Sequence, residues 1–439
     1  MSNEIIRISN IAKKHLKVDT VMYALNKENL KMEAKRIGRN KAVGIDNITK
    51  QEYVENLENN IEKLIENMKK MAYKPKAVRR IYIPKPGSDK KRPLGIPAVE
   101  DKIVQAVMTK ILNAIYEPMF KEFSYGFREG RSCHQAIAYL KRMIETRQVN
   151  YIVDLDIKGF FDNIDHEWLI KFLEYRINDK VYIRYIRRFL KSGILEQGKL
   201  LKSDKGTPQG GIISPVLGNI YLHFVLDDWF EKVVKKHLIG YSGMVRYADD
   251  VVAGFKNKSE AECFLRSVKK RLQKFGLEVS EEKTKILEFG RNAIKERNAR
   301  KERKPETFEF LGFTFYCSTS KIGKFRVKCI TSKKKMRAKT KESKEWIRKR
   351  MHCKVSETVK LLNIKLMGHY RYYGITDNTK GIRQYYEIIL NMMFKALNRR
   401  SQKNKYNYHE FYEKVGKYII KPKIYVNMIN MQLNIKEVM

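Results

Sequence analysis

Two short apolar segments of the sequence carry aspartates where buried strands would ordinarily carry uncharged side chains. Residues 151–157 have the pattern of a compact strand, yet Asp154 and Asp156 interrupt its apolar residues. Residues 244–255 have the pattern of two short strands around a tight polar tip, and Asp249 and Asp250 lie at that tip. A charge buried on an apolar strand is costly unless something compensates it. The folded chain must therefore neutralise or solvate these carboxylates.

A divalent cation would relieve the repulsion between clustered aspartates. Mg²⁺ takes carboxylate oxygens as ligands and keeps room for phosphate and water. Two such ions about 4 Å apart would stabilise the attacking and leaving oxygens of an in-line displacement. For Asp249 and Asp250 taken alone, a pair of helix caps or an exposed turn is an equally good interpretation. Asp154 and Asp156 are two residues apart and share one face of the predicted strand, so spacing does not choose between them.

The charge balance indicates a polyanionic partner. The 439 residues include 91 Lys and Arg against 49 Asp and Glu, a net charge of +42. Such an excess opposes compaction unless a polyanion neutralises it. Nucleic acid is the favoured partner, because phosphate contacts release condensed counterions; a solvated basic surface or anionic lipid is the alternative. Residues 291–439 contain 37 basic and 12 acidic residues, which suggests a binding appendage behind a more balanced catalytic region.

Several features predict a cytoplasmic protein without a membrane partner. No apolar stretch approaches the roughly 18–20 residues needed to span a bilayer, and the N-terminus lacks a signal-peptide core. The five cysteines are odd in number, scattered and without zinc-binding spacing. We therefore interpret them as reduced thiols.

The periodicity predicts a mixture of helices and strands. Helices are expected mainly within residues 18–71 and at 101–120, 132–146, 166–175, 214–230, 260–275, 333–350 and 355–367. Strands are expected at 78–83, 92–97, 151–157, 244–255 and 308–316. Residues 291–304 are interpreted as an exposed basic insertion.

A series of sequence motifs, in order along the chain, resembles those of reverse transcriptases and matches the group II intron branch closely. They are Ser124-Tyr125-Gly126-Phe127-Arg128, Asp156-Ile157-Lys158-Gly159-Phe160-Phe161-Asp162, Gly206-Thr207-Pro208-Gln209-Gly210-Gly211 with Ser214-Pro215, and Tyr247-Ala248-Asp249-Asp250. The resemblance continues through residues 277–284 and 310–313, and through Gly368-His369-Tyr370-Arg371-Tyr372-Tyr373-Gly374. It covers roughly residues 35–423.

The resemblance implies an α+β right-hand polymerase, with fingers and a palm around an antiparallel sheet, followed by an α-helical thumb. We expect a helical N-terminal extension over residues 1–73, fingers and palm over 74–320, a thumb or maturase domain over 321–400, and a short basic C-terminal segment over 401–439. Many relatives carry a C-terminal nuclease with paired cysteines and histidines. This sequence shows none, so target-strand nicking is not expected. The sequence does not predict an oligomeric state.

The resemblance also implies the parts of a catalytic site. The expected catalytic and metal-site aspartates are Asp156, Asp249 and Asp250, with Ile157 beside them and two Mg²⁺ ions bound. The expected nucleotide-binding residues are Arg79, Lys85, Phe160, Phe161, Pro208, Gln209 and Lys283. The expected primer grip is Phe310, Leu311 and Gly312. The expected RNA-binding residues are His369, Tyr370, Arg371, Tyr372, Arg399 and Arg400.

Some of these roles have alternatives. Phe161 matches the position that stacks under the incoming sugar, where an aromatic ring would clash with a 2′ hydroxyl; core packing is the alternative, for Phe160 equally. Lys283 would approach the pyrophosphate or be an ordinary surface lysine. Adjacent side chains on a strand point in opposite directions, so Asp249 and Asp250 should contribute unequally, with Asp249 the more direct ligand.

The expected function is that of an RNA-directed DNA polymerase of a group II intron, which copies RNA into DNA from deoxynucleoside triphosphates and assists splicing as a maturase. Its partners would be template RNA, the intron RNA and a DNA primer or target. One alternative is a reverse transcriptase recruited to phage defence or a CRISPR-linked system, against which the 368–374 motif argues. The other is a splicing-only RNA-binding cofactor, against which the intact aspartates argue.

Overall fold

The computed structural model describes residues 2–84, 91–196, 198–201, 204–207, 210–320, 322–400 and 405–435. The helices are α1 Asn3–Lys14, α2 Lys27–Arg36, α3 Lys50–Glu55, α4 Leu57–Lys69, α5 Val99–Tyr116, α6 Cys133–Thr146, α7 Phe160–Asn163, α8 His166–Glu174, α9 Lys180–Leu190, α10 Ser214–Leu222, α11 Asp228–Lys232, α12 Lys258–Lys274, α13 Arg291–Ala299, α14 Lys333–Lys349, α15 Val355–Tyr373, α16 Thr379–Asn398, α17 Tyr408–Lys414 and α18 Met428–Leu433. A π-helical turn, His223–Asp227, joins α10 to α11.

The strands form three sheets, and the chain is a mixed α+β protein as predicted. The strands are β1 Val78–Pro84, β2 Lys91–Ile96, β3 Tyr151–Asp156, β4 Ile194–Glu196, β5 Lys199–Leu201, β6 Ser242–Tyr247, β7 Asp250–Phe255, β8 Lys285–Glu288, β9 Phe308–Phe310, β10 Phe313–Thr319 and β11 Phe325–Thr331. Their orders are β6-β7-β3-β8, β2-β1-β4-β5 and β11-β10-β9.

The first sheet is antiparallel throughout and contains both predicted aspartate-bearing segments. Residues on its strands alternate between two faces. Val153, Leu155 and Val251 are almost completely buried in the largest hydrophobic cluster. This packing fixes the register of β3 against β7, because a shift by one residue would turn every apolar side chain to the wrong face.

The strands expected at residues 78–83 and 92–97 are confirmed as β1 and β2, which pair in antiparallel register. The sequence pattern did not predict β4, β5, β8 and β11. The first two are only three residues long, too short for a periodic pattern to identify. Strand β11 pairs with β10 along its whole length, so this sheet crosses the expected domain boundary at residues 320 and 321.

Two predicted segments contain more structure than the sequence indicated. Residues 291–304 are mostly exposed, as predicted, but α13 forms there and its Arg297 binds Glu288 of β8 through Nε at 3.1 Å. The C-terminal segment is also more than a basic extension. Its Phe411 on α17 and Met428 on α18 are fully buried, each in a hydrophobic cluster shared with earlier parts of the chain.

Helices α14 to α17 form a separate hydrophobic cluster. Val359, Leu362 and Leu366 lie on one face of α15 and are buried there, where they pack with residues of α14, α16 and α17. Within the described ranges, no helix is long and apolar enough to cross a membrane.

A buried ion pair connects the helical region, formed by α14 to α17, to the part of the chain that contains the sheets. Lys141 on α6 donates to Asp377, which lies in the 3₁₀ turn Thr376–Asn378 between α15 and α16. The Lys141 side chain is 1% exposed and that of Asp377 is 15% exposed. Water therefore cannot replace the carboxylate as a partner for the ammonium group.

Replacing Asp377 with Ala is expected to lower the free energy of unfolding by about 3 kcal/mol, because it leaves the Lys141 charge buried without a partner. Urea denaturation followed by circular dichroism measures this loss. The matched control is Glu413→Ala, which breaks an exposed pair with Lys417 and should cost less than about 1 kcal/mol. Equal effects of the two substitutions would contradict the structural importance of the buried pair.

Candidate active site

The register of the first sheet brings two of the predicted catalytic aspartates together. Asp156 is the last residue of β3 and lies directly opposite Asp250, the first residue of β7. Directly opposed residues on antiparallel strands share a face, with Cβ atoms about 4.5–5.5 Å apart. Asp249 lies in the turn between β6 and β7. Asp154, two residues before Asp156, is on the same face and lies opposite Val252.

The pKa values of these carboxyl groups reflect their crowding. Burial, and then the charges of Asp250 and Asp156, raise the pKa of Asp154 to about 7. Asp250 is exposed at the edge of a cavity, yet the protein atoms packed around its carboxyl group, followed by the charges of Asp249 and Asp156, raise its pKa to about 6. Burial also raises the pKa of Asp249. The carboxyl groups of Asp154, Asp249 and Asp250 therefore lose their protons at a higher pH than an ordinary aspartate.

These donors suit Mg²⁺ chemically. Among the described residues, no three acidic, histidine or cysteine side chains already form a cage for a metal ion. Mg²⁺ does not need such a cage, because it usually binds through one or two carboxylates, several waters and substrate phosphates. The strand-end pair Asp156 and Asp250, with Asp249 in the adjoining turn, offers that kind of open carboxylate site.

Lys283 is the immediate counter-ion of Asp156. Its Nζ donates to both carboxylate oxygens, at 3.0 and 2.9 Å. The Lys283 side chain remains 62% exposed, so the contact is a surface ion pair of small stability. The sequence allowed Lys283 to be either a pyrophosphate contact or an ordinary surface lysine, and the structure places it beside Asp156.

The motif at residues 124–128 lies directly behind the aspartate turn. Tyr125 N donates to the Arg246 carbonyl at 2.8 Å, and Arg246 N donates to the Phe123 carbonyl at 2.9 Å. A Cβ on Gly126 would lie 2.3 Å from the backbone nitrogen of Ala248. Only glycine allows the two segments to approach this closely.

Phe160 and Phe161 differ in their surroundings. Phe160 is buried, whereas Phe161 is half-buried and lies with its ring edge-to-face against Phe127, at a centroid distance of 6.5 Å. Thr207 N donates to the Phe161 carbonyl at 2.7 Å, which connects Thr207 to α7. Core packing therefore explains Phe160, while Phe161 keeps the partial exposure that a contact with nucleotide requires.

The predicted primer grip lines a cavity together with the aspartates. This cavity, of about 400 Å³, is bounded by Asp154, Asp250, Glu309, Phe310, Leu311, Gly312, Lys335, Tyr372 and Tyr373. Leu311 and Gly312 both have positive φ, and the Leu311 carbonyl accepts a hydrogen bond from Tyr372 Oη at 2.9 Å. Lys335, which the sequence analysis missed, also lowers the pKa of Asp250 against the larger raising effects.

The other expected nucleotide contacts are only partly placed. Arg79 donates through Nη2 to the Val43 carbonyl at 2.8 Å, so its guanidinium is engaged by the N-terminal region. Lys85, Pro208 and Gln209 lie outside the described residues. Arg92 on β2 was not among the predicted site residues. Its positive charge opposes the larger effect of burial, which raises the pKa of Asp249.

Two of the expected RNA contacts are corrected by the structure. Tyr370 is completely buried and His369 is 5% exposed, with its ring stacked 4.0 Å from that of Tyr385. Neither side chain can reach RNA in this arrangement. Tyr372 supports the primer-grip turn, and Arg400 donates to the Cys353 carbonyl at 2.8 Å. The exposed members of the set are Arg371 and Arg399.

The sheet, its strand-end aspartates and the flanking cavity define the palm of a nucleic acid polymerase. The chain belongs to the reverse transcriptase (RNA-dependent DNA polymerase) family, whose profile matches residues 83–315, more than half of its length. Members of this family use divalent metal ions and deoxynucleoside triphosphates.

Individual relatives are similar over a part of the chain. The group II intron-encoded protein LtrA of Lactococcus lactis subsp. cremoris is 49% identical over 166 residues, 38% of this chain and 27% of LtrA. An uncharacterized 91 kDa protein in the cob intron of Schizosaccharomyces pombe is 40% identical over 185 residues, 42% of this chain and 22% of its own. The more distant nuclear intron maturase 3 of Arabidopsis thaliana is 31% identical over 130 residues, 29% of this chain and 18% of its own. The chain thus spans about a quarter of the length of the first two relatives.

The crowded carboxyl groups should make the metal-free protein less stable as the pH rises. Because the pKa values of Asp154 and Asp250 are higher in the folded chain than the ordinary value near 3.9, the folded state holds these protons more tightly. Their contribution therefore favours folding most below about pH 4 and is lost between about pH 4 and 7. Melting temperatures in EDTA at a series of pH values measure this trend.

The Asp154→Asn variant isolates the effect, because it removes the group whose pKa is raised most. The difference in melting temperature between this variant and the unmodified protein should grow in favour of the variant from pH 5 to pH 7.5. A difference that stays constant, or changes in the opposite direction, would show that Asp154 does not carry the raised pKa.

Proposed function

We propose that this protein is an RNA-directed DNA polymerase whose catalytic site consists of Asp156, Asp249 and Asp250 with two Mg²⁺ ions. The cross-strand pairing of Asp156 with Asp250, in the palm of a member of the reverse transcriptase family, is the observation that carries this proposal. When bound, the two ions would supply positive charge to the attacking and leaving oxygens of phosphoryl transfer. The primer provides the attacking hydroxyl, so the protein needs no nucleophile of its own.

The residues around the aspartates would each position one part of the substrates. Phe161 would lie under the sugar of the incoming deoxynucleotide, and the 310–312 turn would hold the end of the primer. Lys283 donates to both carboxylate oxygens of Asp156, and from this exposed position its ammonium group would bind triphosphate oxygens. Arg79, Lys85, Pro208 and Gln209 complete the proposed nucleotide site, whereas Phe160 belongs to the core. Of the adjacent pair, Asp249 is proposed as the more direct metal ligand.

We further propose that the protein binds an intron RNA and assists its splicing as a maturase. The net charge of +42 supports a nucleic acid partner. The names of the relatives, which include a group II intron-encoded protein and an intron maturase, support the intron as that partner. Arg371 and Arg399 are the proposed RNA contacts on the helical region. The template would be RNA and the primer DNA.

The five free cysteines support a cytoplasmic location, because disulfides rarely persist in that compartment.

Replacing Asp250 with Asn should reduce primer extension on an RNA template by about 10³-fold, because a carboxylate ligand and several kcal/mol of transition-state stabilisation are lost. RNA affinity should stay within about twofold, since the change removes negative charge. Extension with Mg²⁺ and filter binding measure the two quantities. Asp19→Asn is the matched control, because Asp19 is an exposed aspartate that accepts a hydrogen bond from Asn178 on the surface.

Two results would contradict parts of this proposal in different ways. Extension at the normal rate by the Asp250→Asn variant would exclude the metal assignment. An unmodified protein that binds intron RNA and promotes splicing, but extends no primer, would instead favour a splicing-only cofactor.

Replacing Phe161 with Ala should raise ribonucleotide incorporation relative to deoxynucleotide incorporation by about 10- to 100-fold, because the clash with the 2′ hydroxyl is removed. The ratio of kcat/KM values for the two nucleotides measures this change. Phe160→Leu serves as the control, because that ring is buried and should affect stability without affecting the ratio. An unchanged ratio in Phe161→Ala would mean that this ring does not select the sugar.

A further inference from the structure

A completely buried ion pair lies next to the turn that carries Asp249 and Asp250. The side chains of Arg246 on β6 and Asp227 at the end of the π-helical turn are both 0% exposed. Arg246 Nε donates to Asp227 Oδ1 at 2.7 Å, and its Nη2 donates to Oδ2 at 2.5 Å. This two-pronged contact fixes the plane of the guanidinium group.

The Nη1 group of Arg246 binds both the aspartate turn and α10. Its Nη1 donates to the carbonyl of Ala248 at 3.0 Å and to Oδ1 of Asn219 at 3.0 Å. Asn219 Nδ2 in turn donates to the Gly126 carbonyl at 2.6 Å. One guanidinium group thus connects the turn, α10, the π-helical turn and, through Asn219, the 124–128 segment.

Stability alone gives a poor account of this arrangement. Withdrawing two charges from water costs several kcal/mol per ion, and well-packed apolar residues often replace such a pair without loss of stability. The turn also needs external support. Ala248 has a φ of +56°, a left-handed conformation that is uncommon for a residue with a side chain. In addition, π-helical turns within α-helices recur at functional sites, and this one ends at Asp227.

We propose that Arg246 is a positioning residue for catalysis, which holds the Ala248 carbonyl and thereby sets Asp249 and Asp250 relative to Asp156. Asp227 and Asn219 orient Arg246 and do not touch substrate or metal. This inference rests on the proposed polymerase function and extends it to residues behind the site. It also explains why a charged side chain occupies a buried position on β6, directly before the Tyr247-Ala248-Asp249-Asp250 motif.

The test replaces Arg246 with Lys, which keeps the positive charge beside Asp227 but cannot also reach the Ala248 carbonyl in the same geometry. The readouts are the kcat and KM for a deoxynucleotide, and the affinity for Mn²⁺, measured by electron paramagnetic resonance on the protein without nucleotide. We expect kcat and Mn²⁺ affinity each to fall by about 10- to 100-fold, as is typical when a residue that orients metal ligands is changed. The KM should change by less than about twofold.

Arg176→Lys is the matched control, because Arg176 is another buried arginine that donates to backbone carbonyls, those of Ala12 and His15 at the end of α1. It should lower the melting temperature without changing Mn²⁺ affinity. Asn219→Ala is a second test variant, which leaves the Arg246–Asp227 pair intact and removes one of its supports. Its Mn²⁺ affinity should fall, but by less than that of Arg246→Lys.

The proposal is overturned if Arg246→Lys folds and keeps normal kcat and Mn²⁺ affinity. It is equally overturned if the lost activity matches the unfolded fraction while the folded molecules bind Mn²⁺ normally. Should Arg246→Lys fail to fold, the decision rests on Asn219→Ala, and normal Mn²⁺ affinity in that variant overturns the proposal. A failure of the proposed polymerase function is distinguishable, because the unmodified protein would then extend no primer at all.

Discussion

The pairing of β3 with β7 places Asp156 and Asp250 side by side, and the rest of the catalytic region is arranged to tolerate that contact. Two carboxylates in direct cross-strand opposition repel each other, and burial of the neighbouring Asp154 adds a third acidic group to the same face. The register cannot relax by slipping, because the alternate residues of both strands fill the core. Repulsion is instead met locally by Lys283 at Asp156, and at longer range by Arg92 and Lys335.

Much of this region could be predicted from the sequence, because its signals are local. The strands at residues 151–157 and 244–255 are identified by apolar residues around isolated aspartates, and the motifs give their order. Lys283 and Arg246 show what local signals omit. Lys283 meets Asp156 across 127 positions of the chain, and Arg246 meets Asp227, the last residue of a π-helical turn.

The expected RNA contacts illustrate a different limit. Tyrosines interleaved with arginines are typical of surfaces that stack on bases, but the same composition occurs in a packed helix of this length. On α15 the helical period places Tyr370 in the core and leaves Arg371 exposed. The sequence also did not show that β11 completes a sheet with β10, or that Lys141 pairs with Asp377. The helical region is therefore joined to the palm by a shared sheet and a buried charge, rather than by a simple linker.

The contact between Gly126 and Ala248 has a consequence for how this protein can vary. The two residues belong to motifs that are 122 positions apart, yet a single methyl group at position 126 would overlap the backbone of the turn before Asp249. Backbone cannot be trimmed by substitution as a side chain can. Position 126 therefore cannot acquire a side chain unless the whole hairpin moves, so a substitution there would displace the turn that carries Asp249.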